Sequence, residues 1–171
     1  MMTMLLISGC SHDEIVSQRV GSEVTVAFTT ELRNDVKSRA VGDNAHQIDQ
    51  VMLAVYGEGG ESPTGHLPAL NKTATPRQGN EANGEDPHKM YATIEVVLVK
   101  GQTYNFVFWA QTKSGNGYTS PYTFDAANAT VSINYQKAND KCADAFYAKI
   151  NNFTVTGTFQ HRVDLRRPFA R

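Results

Sequence analysis

The sequence predicts an all-β protein, a sandwich of antiparallel sheets, from three observations. Apolar residues alternate with polar ones at period two in several separate runs, the pattern of strands with one buried face. The run Tyr104 to Ala110 is apolar on both faces, as a central strand covered on both sides must be. Between the runs lie stretches rich in Gly, Pro and Asn, which supply turns.

Taken in order, Val24, Val26 and Phe28 alternate with Thr25, Ala27 and Thr29, giving a first strand over roughly Glu23 to Glu31. Gln47 to Tyr56 carries Ile48, Val51, Met52 and Val55 at helical spacing, but also Val51, Leu53 and Val55 at strand spacing. Its β-branched content and strand-like neighbours favour a strand, stopped by Gly57-Glu58-Gly59-Gly60. From Glu58 to Lys89 the chain is rich in Gly, Pro, Asn and Glu without periodicity, which reads as a long exposed or partly disordered loop containing an Asn83-Gly84 turn. Ile94, Val96 and Leu98 mark the next strand, and Lys100-Gly101-Gln102 connects it tightly to the two-faced run. Asn116-Gly117 is a signal for a hairpin between Trp109 and Tyr122. Ala138 to Lys149 reads as a short helix, and Phe153, Val155 and Phe159 alternate with Thr154, Thr156 and Thr158 as a strand. The closing stretch Val163 to Arg171 reads as a strand cut off before its end.

Composition narrows the function. With 171 residues, 40% apolar and 19% charged, the chain can bury one good-sized core. Sixteen basic against 17 acidic side chains leave a net charge of −1, so no field gathers nucleic acid or an anionic membrane surface. The N-terminus, Met1 to Cys10, is a short apolar run ending Leu6-Ile7-Ser8-Gly9-Cys10. An aliphatic residue, two small ones and a cysteine form the ending of a bacterial lipoprotein signal, in which the Cys10 thiol receives the lipid. Ser11-His12-Asp13-Glu14 then begins a polar tether. The run is shorter than a full signal core and lacks a preceding Lys or Arg, so the true start is expected upstream. The plain alternative is a frayed terminus with an incidental Gly-Cys. No other segment approaches the roughly 18 apolar residues of a membrane span, so membrane attachment is expected by lipid alone.

No catalytic, metal or cofactor constellation stands out. Cys142 has no His beside it in sequence and reads as a buried structural thiol. His12, His46, His66, His88 and His161 are scattered without ligand spacing. Asp140, Asp144 and Asp164 are not brought together by sequence. Trp109, Tyr118 and Tyr122 invite a sugar-stacking reading, against which stands the position of Trp109 in the most apolar strand, where core packing is expected. The sequons at Asn71, Asn128 and Asn152 read as chance matches.

The order of these features resembles the fimbrillin-like proteins of Gram-negative anaerobes of gut and mouth. The resemblance is carried by the Cys10 lipobox and tether, the Val24-Thr-Val-Ala-Phe28 strand, Lys37-Ser-Arg-Ala40, and the Ile48 to Tyr56 strand. Gly101 to Gln111, Asp144-Ala-Phe-Tyr147 and Val163 to Arg171 continue it over nearly the whole chain. It implies a transthyretin-like, Greek-key β-sandwich as the first of two domains, and a surface-exposed outer-membrane lipoprotein that builds a fimbria, pilus or adhesin without catalysis. It also implies assembly by strand exchange with other pilus subunits, after an arginine-specific cut between Arg39 and Ala40 removes the strand bearing Val24, Val26 and Phe28. A host surface or glycan is a further partner.

On this resemblance, 1–9 is the signal remnant, 10–22 the tether, 23–39 the first strand and cleavable propeptide, 40–167 the sandwich, and 168–171 the start of a connection onward. The loop Leu32 to Asn44 is polar and lies between strand-like runs, where proteolytic nicking is expected. Arg33 and Lys37 are basic as well, and an ordinary loop that is never cut is the alternative. The rival function is a lipid-anchored glycan-binding module, with aromatic side chains projecting from loops such as Ser114 to Ser120.

Overall fold

A computed structural model describes residues 21–32, 48–115, 118–136 and 144–168. Cys10, Arg39, Ala40 and Cys142 lie outside the described residues, as do His12, His46 and Asp140. Ten strands are present among those described: β1 (Glu23–Leu32), β2 (Gln50–Tyr56), β3 (Lys72–Ala74), β4 (Arg77–Gln78), β5 (Met90–Val99), β6 (Thr103–Gln111), β7 (Tyr122–Asp125), β8 (Thr130–Ile133), β9 (Ala145–Thr154) and β10 (Phe159–Leu165). They form one sheet in the order β10-β1-β5-β4, a second in the order β3-β2-β6-β9, and a separate β7-β8 hairpin. The fold is all-β, with two sheets packed face to face.

Alternation explains the packing. On β5, Met90, Ala92, Ile94, Val96 and Leu98 are buried while Thr93, Glu95 and Val97 are exposed. Val51, Leu53 and Val55 of β2, and Phe106, Phe108 and Ala110 of β6, face them across one core. Burying a large apolar side chain contributes about 1.5–3 kcal/mol, so this layer is the main source of stability. The two-faced run is also accounted for. β6 lies between β2 and β9, its second face carries Val107 and Trp109, and the β7-β8 hairpin covers that face.

Among the described strands every pairing is antiparallel except β1 with β10, which is parallel, Val26 facing Phe159 through Leu32 facing Leu165. Parallel neighbours need a long connection, and here nearly the whole described chain intervenes. The tight link Lys100-Gly101-Gln102 is present, with Gly101 at φ +85°, a conformation that favours glycine. β5 and β6 are not paired with each other, however. The link instead carries the chain from one sheet to the other, held by Val155, which accepts from Gly101 N–H at 2.7 Å and donates to Gln102 O at 2.9 Å.

Four expectations are corrected. Glu58 to Lys89 is an ordered region with β3, β4 and two 3-10 turns, Pro68–Leu70 and Glu81–Asn83. Its order comes from polar groups, which leave no apolar period: Asn71 Oδ1 accepts from Val55 N–H at 3.2 Å, and Asn80 Oδ1 caps Ala82 N–H at 2.9 Å. Gly65 also packs so closely that a Cβ there would sit 2.0 Å from the Gly60 carbonyl oxygen. Second, the predicted helix over 138–149 gives way, in its described part, to the start of β9. Phe146 and Ala148 join the core there while Tyr147 is exposed. Third, Trp109 and Tyr122 do not belong to one hairpin. β7 pairs with β8, and Gly115 and Tyr118 make only an isolated bridge. Fourth, the Phe153 to Phe159 run is two strands. β9 ends at Thr154, Val155 is fully buried, and the chain crosses sheets before β10. The closing strand itself ends at Leu165, followed by an isolated bridge from Arg166 to Tyr147.

Among the described residues, two non-glycine residues have left-handed backbone. Asn152, at φ +53°, sits where β9 carries an extra residue against β6, and its N–H donates to Asn105 Oδ1 at 2.7 Å. Ala129, at φ +50°, lies in the β7-β8 turn, a conformation costing an L-residue about 1–2 kcal/mol. Ala129→Gly is therefore expected to stabilise the fold by about 0.5–1 kcal/mol, read as a rise in the urea midpoint at unchanged slope.

Candidate functional site

The three residues assigned to an exchangeable strand, Val24, Val26 and Phe28, lie together on the inner face of β1. Val24 is half-buried, whereas Val26 and Phe28 have no exposed surface. β1 is an interior strand of its sheet, bonded to β5 over Glu23 to Leu32 and to β10 over Val26 to Leu32. Phe28 is the centre of its inner face. Its ring lies 4.8 Å from Phe106, 5.3 Å from Phe108, 6.3 Å from Phe153 and 6.2 Å from His161, in tilted and edge-on arrangements that suit aromatic quadrupoles. Further along, Thr30 is buried yet satisfied, its hydroxyl donating to Ala92 O at 3.0 Å, and Leu32 closes the row.

The outer face of β1 carries what the sequence reading missed. Glu31 is a buried carboxylate with a side chain 5% exposed, bridged by Lys89 on one side and Arg162 on the other. In register beside it stand Tyr91 of β5 and Asp164 of β10. The Arg162 guanidinium lies 5.9 Å from the Tyr91 ring centroid, a cation–π contact. The segment after β4 folds over this spot. Asp86 N–H donates to the Tyr91 hydroxyl at 3.1 Å, and Arg77 grips Glu85 by two bonds of 2.6 and 2.8 Å. Glu31 resembled the polar end of an amphipathic strand; its partners come from distant parts of the chain, so no local pattern could single it out.

Other candidate residues resolve differently. Trp109 is 2% exposed, its Nε1–H donates to Gln111 Oε1 at 2.6 Å, and its ring packs on Tyr122 and Phe124. It belongs to the packing between β6 and the hairpin rather than to a stacking platform. Beside it, Tyr56 donates its hydroxyl to Ala126 O at 2.5 Å. Burial, with the nearby charges of Glu61 and Asp125, pushes that hydroxyl up to about 12. His66 hydrogen-bonds the Asn71 side chain, Asp144 pairs with Arg167, and Asp164 stands apart from Asp144 on β10. Among the described residues, no three of His, Cys, Asp and Glu come together as a metal site.

Residues 17–171 match a family described as a family of unknown function (DUF6562). The chain belongs to that family. No curated protein matches. Among solved structures, a leucine-rich repeat protein from Bacteroides thetaiotaomicron VPI-5482 is similar over 84% of this chain and 12% of its own, at 11% identity and a TM-score of 0.34. The DUF6562 chain thus spans about an eighth of that protein, and so distant a likeness bears on neither fold nor function.

In this DUF6562 member the two faces of β1 make different energetic demands. Phe28→Ala is expected to cost about 3–5 kcal/mol, the range for emptying a packed aromatic site. Val24→Ala, half-buried at the strand start, should cost less than about 1.5 kcal/mol. Paired urea melts measure both.

At Glu31, burial acts to raise the carboxyl, but hydrogen bonds from Lys89 and Arg162, together with their charges, outweigh it and hold the group below its ordinary 4.5. Between the lowered folded value and 4.5, the unfolded chain binds more protons than the folded one. The stability this carboxylate supplies is therefore present above that window and lost as pH falls through it. The urea midpoint of Glu31→Gln should lie below that of the parent near neutral pH, by about 1–3 kcal/mol of stability. The gap should narrow as the pH falls below 4.5 and through the lowered folded value. A gap independent of pH would show that charge at Glu31 is irrelevant.

Proposed function

We propose that this chain is a structural subunit of a cell-surface fimbria or adhesin, assembled when β1 is released and a strand from another subunit takes its place. The observation that carries the reading is the position of β1. It lies between two partner strands with Val26 and Phe28 at the centre of the core. Withdrawal of such a strand leaves two rows of unpaired backbone groups and an apolar trough floored by Phe106, Phe108 and Phe153. A supplied strand restores both at once. An edge strand would leave no such slot.

In this reading the release follows an arginine-specific cut between Arg39 and Ala40, and Cys10 carries the lipid that holds the subunit at the outer membrane. Partners are other subunits, with a host surface or glycan beyond them. A glycan-binding module is weakened as the alternative by the burial of Trp109 beneath Tyr122 and Phe124.

Limited digestion with an arginine-specific protease tests the proposal, followed by intact mass and an unheated denaturing gel. The expected result is one early cut after Arg39, with β1 held in place until heat or a competing strand displaces it. Resistance at Arg39 while Arg77 or Arg162 is cut, or collapse of the fold on cleavage, would overturn it.

A further inference from the structure

The two faces of β1 differ in how much they specify. The inner face takes Val24, Val26, Phe28 and Leu32, a row that many amphipathic strands could supply. The outer face is more exacting, because Glu31 is surrounded by groups arranged for a negative charge. Lys89 and Arg162 reach it from neighbours on opposite sides. Lys89 has Asp86 as a second, more distant acid at 3.9 Å, and Arg162 lies over Tyr91. Asp164 stands in register with Glu31 on β10, a like-charge neighbour that Arg162 and Lys89 must offset.

We infer that the slot occupied by β1 selects its occupant by an acidic side chain at the Glu31 position. The accepted strand would have apolar residues at alternate positions, an aromatic one at the Phe28 position, and a carboxylate three residues further on. It would run antiparallel to β5 and parallel to β10, as β1 does. The Glu31 position is itself shut off from water while Lys89 and Arg162 remain partly solvated, so a neutral residue there forfeits two charge-assisted bonds to a buried acceptor, and a lysine there adds repulsion. The carboxylate also fixes register. A slip by one residue would turn it toward the ring of aromatics and swap every other side chain between faces.

This inference rests on the strand-exchange reading, and the test separates the two. The full chain is given a single protease site between Leu32 and Ile48, cut in solution, and offered fluorescent peptides of the Glu23–Leu32 sequence. The peptides are the parent and its Phe28→Ser, Glu31→Gln and Glu31→Lys versions, and anisotropy follows uptake. The parent peptide should displace the resident strand, and Phe28→Ser should fail. Glu31→Gln should bind about tenfold more weakly and Glu31→Lys about a hundredfold or more. Lys89→Glu in the full chain should recover at least about tenfold for the Glu31→Lys peptide.

Equal uptake of the parent, Glu31→Gln and Glu31→Lys peptides, with Phe28→Ser excluded, would overturn selection by the acid and leave exchange standing. A cut chain that unfolds by circular dichroism, or that takes up no peptide, would overturn exchange itself and this inference with it.

Discussion

The structure depends on a strand placed between two others that come from far along the chain. β1 is completed on one side by β5 and on the other by β10, and it contributes to two environments at once. Its inner face supplies Phe28 to an aromatic cluster drawn from β6, β9 and β10. Its outer face supplies Glu31 to cations from the residue just before β5 and from β10. The hydrophobic part is large and undemanding about partners, whereas the ionic part is smaller and specific. One ten-residue segment therefore carries both the adhesion of the sheets and the information about which segment belongs there.

Around this strand the remaining elements close what a two-layer sandwich leaves open. The β3-to-β4 passage joins the sheets along one side, and β9 to β10 joins them along the other. The second face of β6 would leave Val107 and Trp109 in water, and β7 and β8 fold over it as a lid of two short strands. Tyr56 ties that lid down through Ala126. Two of these crossings, β5 to β6 and β9 to β10, fall at glycine-bearing links, Lys100-Gly101-Gln102 and Thr156-Gly157-Thr158, and alternation carried past the second misleads.

Much of the fold was legible wherever one side of a strand faces solvent. The rows Val24-Val26-Phe28 and Ile94-Val96-Leu98 announced their inward faces, and the doubly apolar Tyr104 to Ala110 announced a covered strand. The region Glu58 to Lys89 was opaque because Asn71, Asn80 and Glu85 order it through hydrogen bonds, which need no apolar period. The beginning of β9 was misread because small and charged residues around Phe146 and Ala148 mimic a helix as easily as a strand. The site was half legible. Val26 and Phe28 follow from alternation, but the weight of Glu31 arises only when Lys89 and Arg162 converge on it. Cys10, Arg39 and Ala40 lie beyond the described residues.

The parallel pairing of β1 with β10 also governs when the molecule can be finished. β1, made early, must wait for β10, since Val26 pairs with Phe159 and Leu32 with Leu165. Contacts so distant in sequence close slowly, because the loop entropy is met before the contact rewards it. Until β10 arrives, β1 lies against β5 with its other edge bare, and bare edges recruit whatever strand is nearby. During synthesis the nascent chain therefore passes through an interval in which one edge of β1 is unpaired, and the timing of β10 sets how long that interval lasts.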